Sequence, residues 1–185
     1  MIGCVGLLRS DSLVSVASSF ISRPVTSVVT TSVTEASDER TIRAAERADL
    51  LAVVRIENAS FSQPWPYDAF EGFLGEPGFL VATDGDGRVT GYIVADVTPN
   101  YGQDIGHIKD VAVHPNRRGE GIGSALIARA LSTLAAQGAR SVKLEVRESN
   151  EPARRLYREF GFDVLRRVPR YYDDGEDALM MVREL

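Results

Sequence analysis

The stretch HPNRRGEGIGSALI, residues 114–127, sets Arg117 and Arg118 beside Gly119, Gly121 and Gly123, immediately ahead of an apolar helical repeat. Glycines let a backbone approach a ligand closely, and the first turn of a helix presents unpaired N–H groups at a partially positive end. With two guanidinium groups alongside, this is a recipe for holding phosphate. A nucleoside triphosphate loop ends in Gly-Lys-Ser/Thr, whereas Gly123-Ser124-Ala125 stands here. A dinucleotide fingerprint needs G-x-G-x-x-G directly after a strand, and these glycines run G-x-G-x-G behind the insert 114–118. Neither loop fits. On spacing alone, a glycine-eased turn with no ligand competes with a phosphate site.

Other polar residues carry chemistry only in context. Glu145 in SVKLEV lies opposite the apolar face of Val142, Leu144 and Val146. Such a carboxylate can keep an amine neutral through a water, since an α-amine titrates at about 7.7–8.0. From pattern alone it reads more readily as a solvated glutamate between Lys143 and Arg147. Tyr157 shares a helical stripe with Leu156 and Phe160 and reads as a core aromatic. Asn150 reads as a helix cap, His107 as a strand-edge histidine, and His114 as part of the turn before Pro115. With two histidines and no matching carboxylate cluster, no catalytic metal is indicated. Cys4 is the sole cysteine, so one chain builds neither a disulfide framework nor a cysteine zinc site.

The elements that position these groups fall in one domain. A chain of 185 residues with 44% hydrophobic and 25% charged residues has the composition of a soluble globular protein, and no run of 18 apolar residues occurs. A net charge of −5 disfavours nucleic acid as a partner. No membrane partner, a cytoplasmic location and a monomer or weak dimer are the expectations. Residues 1–38, rich in Ser, Thr and Val, read as a disordered extension rather than a signal peptide, because Arg9 follows the first apolar residues and polar residues interrupt the rest. The domain is expected over residues 39–185. RTIRAA reads as a strand, ADLLAVVRIENASF and PYDAFEGFLG as helices, and GFLVAT and RVTGYIVADV as strands around the Asp84-Gly85-Asp86-Gly87 turn. GHIKDVAV is a strand, and Ile122, Leu126, Ala130 and Leu134 mark a helix ended by Gly138. SVKLEV, a helix from Pro152 to Gly161, then FDVLRRV and DALMMV complete the order β-α-α-β-β-β-α-β-α-β-β. That order predicts an α/β fold, a mixed central β-sheet with helices on both faces.

Arg118-x-x-Gly121-x-Gly123 matches the R/Q-x-x-G-x-G/A pyrophosphate loop of the GNAT acetyltransferase superfamily. SFSQPWPYDAF, HIKDVAVHPNRRGEGIGSALI, KLEVRESNEPARRLYREFGF and RYYDDGEDALMMV follow in the order seen in N-terminal protein acetyltransferases. Residues 39–185 resemble the ribosomal-protein alanine N-acetyltransferases and the archaeal NatA-type catalytic subunits. The resemblance implies a GNAT fold and acetyl transfer from acetyl-CoA to the N-terminal amine of proteins, ribosomal proteins among them, by direct attack in a ternary complex. It implies that Val111, Ala112 and Val113 bind the pantetheine and acetyl group. Arg118, Gly119, Glu120, Gly121, Ile122, Gly123 and Ser124 would hold the pyrophosphate, and Asn150 would touch the cofactor. Glu145 would be the base, Tyr157 the acid at the CoA sulfur, and His107 a second base as in several NatA-type enzymes. Phe61, Pro64, Trp65 and Tyr67 would face Tyr171 and Tyr172 across the peptide groove. Transfer to a small amine or a lysine side chain, and a non-catalytic acyl-CoA-binding module, are the alternatives.

Overall fold

A computed structural model describes residues 40–185; the expected extension over residues 1–38 lies outside the described residues. The elements are β1 (Thr41–Ala44), α1 (Leu50–Ser60), α2 (Tyr67–Glu71), β2 (Leu80–Thr83), β3 (Val89–Thr98), β4 (Ile105–Val113), α3 (Ile122–Ala136), β5 (Ser141–Arg147), α4 (Glu151–Glu159), β6 (Asp163–Val168) and β7 (Ala178–Glu184). This order is the one read from the sequence. Among the described residues, the strands form one seven-stranded sheet in the order β1-β2-β3-β4-β5-β7-β6. All neighbours run antiparallel except β4 and β5.

The sheet separates two apolar cores. On one face Leu126, Ile127, Ala130 and Leu134 of α3 and Ala153, Leu156 and Tyr157 of α4 pack with Ile108, Val111, Val113, Val142 and Leu144. On the other, Leu50, Val53 and Ile56 of α1 and Phe70 of α2 pack with Phe79, Tyr92 and Ala112. Burying each Leu or Ile contributes about 1.5–3 kcal/mol, so the helical stripe seen in the sequence fixes which way α3 faces. Gly138, at φ 95°, ends α3 in a left-handed turn. The second helix is shorter than PYDAFEGFLG suggests: α2 stops at Glu71, and turns carry the chain on to Gly75, also at φ 95°.

One irregularity shapes the site. Strands β4 and β5 pair only from Ile105–Ser141 to Ile108–Leu144. The β3–β4 register slips so that Val94 faces Asp110 while Ala95 faces Ile108, leaving Lys109 as an extra residue in β4. A bulge bends and twists its strand. Beyond it β4 continues to Val113 and β5 to Arg147 without pairing each other, so the β5-facing edge of residues 109–113 is left open.

Candidate active site

The glycine turn stands at the open end of this cleft. Gly119 (φ 84°) and Gly121 (φ 77°) are left-handed, a conformation that L side chains adopt only with strain. Gly121 begins α3 with no side-chain cap, and the first helical hydrogen bond is donated by Ala125 to the Gly121 carbonyl. The amides of Ile122, Gly123 and Ser124 therefore precede the first helical bond, at the positive end of the dipole. Arg118 Nε donates to the Val113 carbonyl at 3.3 Å, which ties the turn to the end of β4. Glu120 points away, its carboxylate held by Arg117 Nε at 2.9 Å and its carbonyl by Arg40 at 2.8 Å. The Ile122 side chain is buried in the core, so it too can offer a ligand only its main chain.

Where β4 and β5 part, His107 and Glu145 meet. His107 Nε2 lies 2.7 Å from Glu145 Oε2, with both side chains over 90% buried. Burial alone would raise the Glu145 carboxyl. The hydrogen bond from His107, with the charges of His107, Lys143 and Lys109, outweighs it and holds the group below the ordinary glutamate value. An ionised carboxylate can only accept, so Nε2 donates to it, and in the neutral ring the acceptor is then Nδ1. The solvated strand glutamate that the pattern also allowed is thus a buried, paired one.

His107 also lines a cavity of ≈ 460 Å³ whose other walls are Gln63, Pro64, Trp65, Pro66, Ala69, Phe73, Lys109, Tyr171, Tyr172 and Asp173. Trp65 stacks on Phe73 with ring centroids 5.8 Å apart, and Tyr171 meets Tyr172 edge-on at 5.1 Å. Arg147 lies 3.9 Å from the Tyr172 ring centre and bonds Asp174 at 2.7 Å and Glu176 at 2.6 Å, so the β6–β7 loop is clamped to the end of β5. An aromatic slot lined by the histidine of a histidine–carboxylate pair can hold an extended chain and take a proton from it.

The model of the acetyltransferase (GNAT) family matches residues 49–162. The chain belongs to that family. An uncharacterized N-acetyltransferase of Methanocaldococcus jannaschii is 38% identical over 149 residues, covering 77% of this chain and 90% of that protein. An N-alpha-acetyltransferase of Sulfurisphaera tokodaii is 34% identical over 158 residues, covering 80% and 94%. A protein of Bacillus subtilis called a putative ribosomal protein bS18-alanine N-acetyltransferase is 35% identical over 136 residues, covering 72% and 87%. The crystal structure of Ard1 from Thermoplasma volcanium superposes with a TM-score of 0.72 at 33% identity, covering 79% of this chain and 97% of that one.

Within this GNAT domain the expected site residues fall into three places. Pro64, Trp65, Tyr171 and Tyr172 wall the cavity, whereas Phe61 and Tyr67 pack against the core of α1 and α2 and are not among its lining residues. Asn150 caps α4, its Oδ1 accepting the Ala153 N–H at 3.2 Å. Tyr157 is fully buried on α4 and meets Phe162 edge-on at 5.8 Å, so its ring is a core aromatic as the helical stripe indicated. The acid role suggested for it depends on the hydroxyl alone. Among the described residues no group of three His, Cys, Asp or Glu side chains is arranged to hold a metal ion, and no helix is long and apolar enough to cross a membrane.

The sequence reading missed a second polar cluster in this acetyltransferase. Glu57 of α1, Tyr92 of β3 and Asp110 of β4 are buried together under the cavity wall. Burial raises the Glu57 carboxyl, and burial followed by the charge of Glu57 pushes Asp110 well above the carboxylate range. A signal was present: Glu57 continues the apolar spacing Leu50, Val53, Val54, which aims it inward.

Proposed function

We propose that this acetyltransferase moves acetyl from acetyl-CoA to the α-amine of protein N-termini, with ribosomal proteins within its range. The observation that carries this reading is the buried His107–Glu145 pair, whose histidine lines an aromatic cavity beside the parting of β4 and β5. The names of the Sulfurisphaera and Bacillus relatives support an N-terminal substrate. The residues also suit the co-substrate. The open edge of Val111, Ala112 and Val113 offers main-chain N–H and C=O groups to an amide-bearing pantetheine arm, and the turn of residues 118–124 offers amides and the Arg118 charge to a pyrophosphate. Asn150 caps α4, and in this reading its side chain also contacts the cofactor.

Acetyl-CoA supplies an acetyl thioester, open to attack at its carbonyl carbon. Trp65, Tyr171 and Tyr172 hold the peptide so that its neutral amine approaches from the cavity. The new N–C bond forms as the C–S bond breaks, and the proton shed by nitrogen passes to the His107–Glu145 pair, directly or through a water. His107 stands in the cavity wall, while Glu145 orients the ring and stabilises the imidazolium, the division of labour seen in histidine–carboxylate catalysis. The Tyr157 hydroxyl returns a proton to the departing thiolate. Thiol release in the presence of a peptide with a free α-amine, the same peptide with that amine blocked, and a polyamine tests the reading. Release only with the free-amine peptide is expected; release with the blocked lysine-containing peptide or the polyamine alone contradicts it.

A further inference from the structure

Glu57, Tyr92 and Asp110 converge inside an otherwise apolar core, each no more than 1% exposed. The Tyr92 hydroxyl lies against Glu57 Oε2 and 2.7 Å from Asp110 Oδ2, and Glu57 Oε1 accepts the Trp65 N–H at 2.7 Å. Donor counting orders the protons. A phenol has one hydrogen to give, so Tyr92 can donate to one carboxyl and must accept from the other. Glu57 already receives the Trp65 amide and is the better anion of the two. Asp110 therefore carries the second hydrogen and donates it to Tyr92. The chain runs from the Asp110 acid through the Tyr92 hydroxyl to the Glu57 carboxylate and ends on the main chain of the loop between α1 and α2.

Pro64 and Pro66 have no N–H to donate, so Trp65 is the anchoring donor of that proline-flanked turn. Fixing the Trp65 main chain also fixes the indole that stacks on Phe73 and walls the cavity. Buried carboxyls are seldom a gain in stability over apolar side chains of similar size, which leaves a need for placement as the reason to keep them here. We propose that the Asp110–Tyr92–Glu57 chain is the positioning device of the substrate loop, setting peptide affinity through Trp65 without touching the reacting atoms. The claim rests on the reading of the cavity as the peptide site.

Trp65 is the only tryptophan, so its fluorescence reports the loop with or without substrate. In Glu57→Met, close in volume, neither the Trp65 N–H nor the Tyr92 hydroxyl finds an acceptor at this position, so the loop loses its anchor. The expected result is red-shifted Trp65 emission together with a peptide KM raised about tenfold, with acetyl-CoA KM and kcat within about twofold of wild type. Unshifted emission, an unchanged peptide KM, or a parallel rise in both KM values overturns the proposal. Asp110→Asn, whose amide donates to Tyr92 as the acid does, is expected to keep the wild-type emission. A shift as large as that of Glu57→Met overturns the proton order. Should the wild-type chain acetylate no peptide at all, the peptide-site reading falls, while the emission of Glu57→Met still decides whether Glu57 holds the loop.

Discussion

Replacing Glu145 with glutamine leaves shape and volume almost unchanged while removing the charge that faces His107 across 2.7 Å. In the reaction proposed, His107 becomes positive as it takes the proton from the amine, so the carboxylate matters most in the transition state. A charge-assisted hydrogen bond contributes about 1.5–3 kcal/mol against about 1 for a neutral one. The attraction between unit charges at about 4 Å and an effective dielectric of about 20 is about 4 kcal/mol, an upper figure. Glu145→Gln should therefore raise the barrier by about 2–4 kcal/mol, a loss of about 30- to 900-fold in kcat/KM. The assay is steady-state thiol release with a free-amine peptide, alongside calorimetric binding of acetyl-CoA. Acetyl-CoA affinity is expected to stay within about twofold, because the carboxylate is not part of the phosphate turn. Turnover within a few-fold of wild type would refute the assignment of the pair as proton acceptor. A loss of acetyl-CoA binding in step with turnover would refute it as well, by showing that the change acts through the cleft as a whole.

Tyr157→Phe removes one buried hydroxyl from a ring already packed on Phe162; turnover should fall about 10- to 100-fold with the melting temperature little changed, and normal turnover across pH would return Tyr157 to packing alone. Gly121→Ala places a Cβ where no atom lies within 4 Å, so its cost is backbone strain of about 1–2 kcal/mol at φ 77°; acetyl-CoA KM should rise with little change in peptide KM, as read by varying each substrate in turn. Asp110 is expected to govern the pH dependence of stability. Its folded pKa lies well above the unfolded value, so the folded state binds the extra proton and stability falls as pH rises through the interval between them, by up to about 1.4 kcal/mol per pH unit. Asp110→Asn should flatten that slope in melting experiments run from acid to neutral pH; a slope equal to that of wild type would contradict a protonated Asp110.

Much of the fold could be read in the chain because its signals are local. The apolar stripe Ile122, Leu126, Ala130 and Leu134 gave α3, the Asp84–Gly87 turn gave the β2–β3 hairpin, and the alternation in SVKLEV placed Glu145 on the face opposite Val142 and Val146. The glycine turn was legible for the same reason, since left-handed positions such as Gly119 and Gly121 favour one residue type. What the chain did not reveal depends on neighbours distant in sequence. The extra residue Lys109 is defined only by its register against β3, yet it is what parts β4 from β5. The contact between His107 and Glu145 joins two strands that are parallel, and so are linked through a whole helix. Phe61 and Tyr67, which the resemblance set beside Trp65 at the peptide groove, pack against the core of α1 and α2 and are not among the cavity's lining residues, a placement that depends on the packing of elements distant in sequence. Glu57 and Asp110 escaped notice because a carboxylate in a helix or strand ordinarily marks the solvent side, and only their joint burial around Tyr92 reverses that reading.

The account is tested most directly by mapping where the acetyl group goes. A peptide library varied at its first residue, each member also carrying an internal lysine, can be incubated with acetyl-CoA and the full chain and sequenced by mass spectrometry. Acetyl found on the α-amine, with a preference that follows the first residue and with the lysines left unmodified, is the predicted result; acetyl confined to lysine side chains, or on no peptide while polyamines are modified, would contradict it.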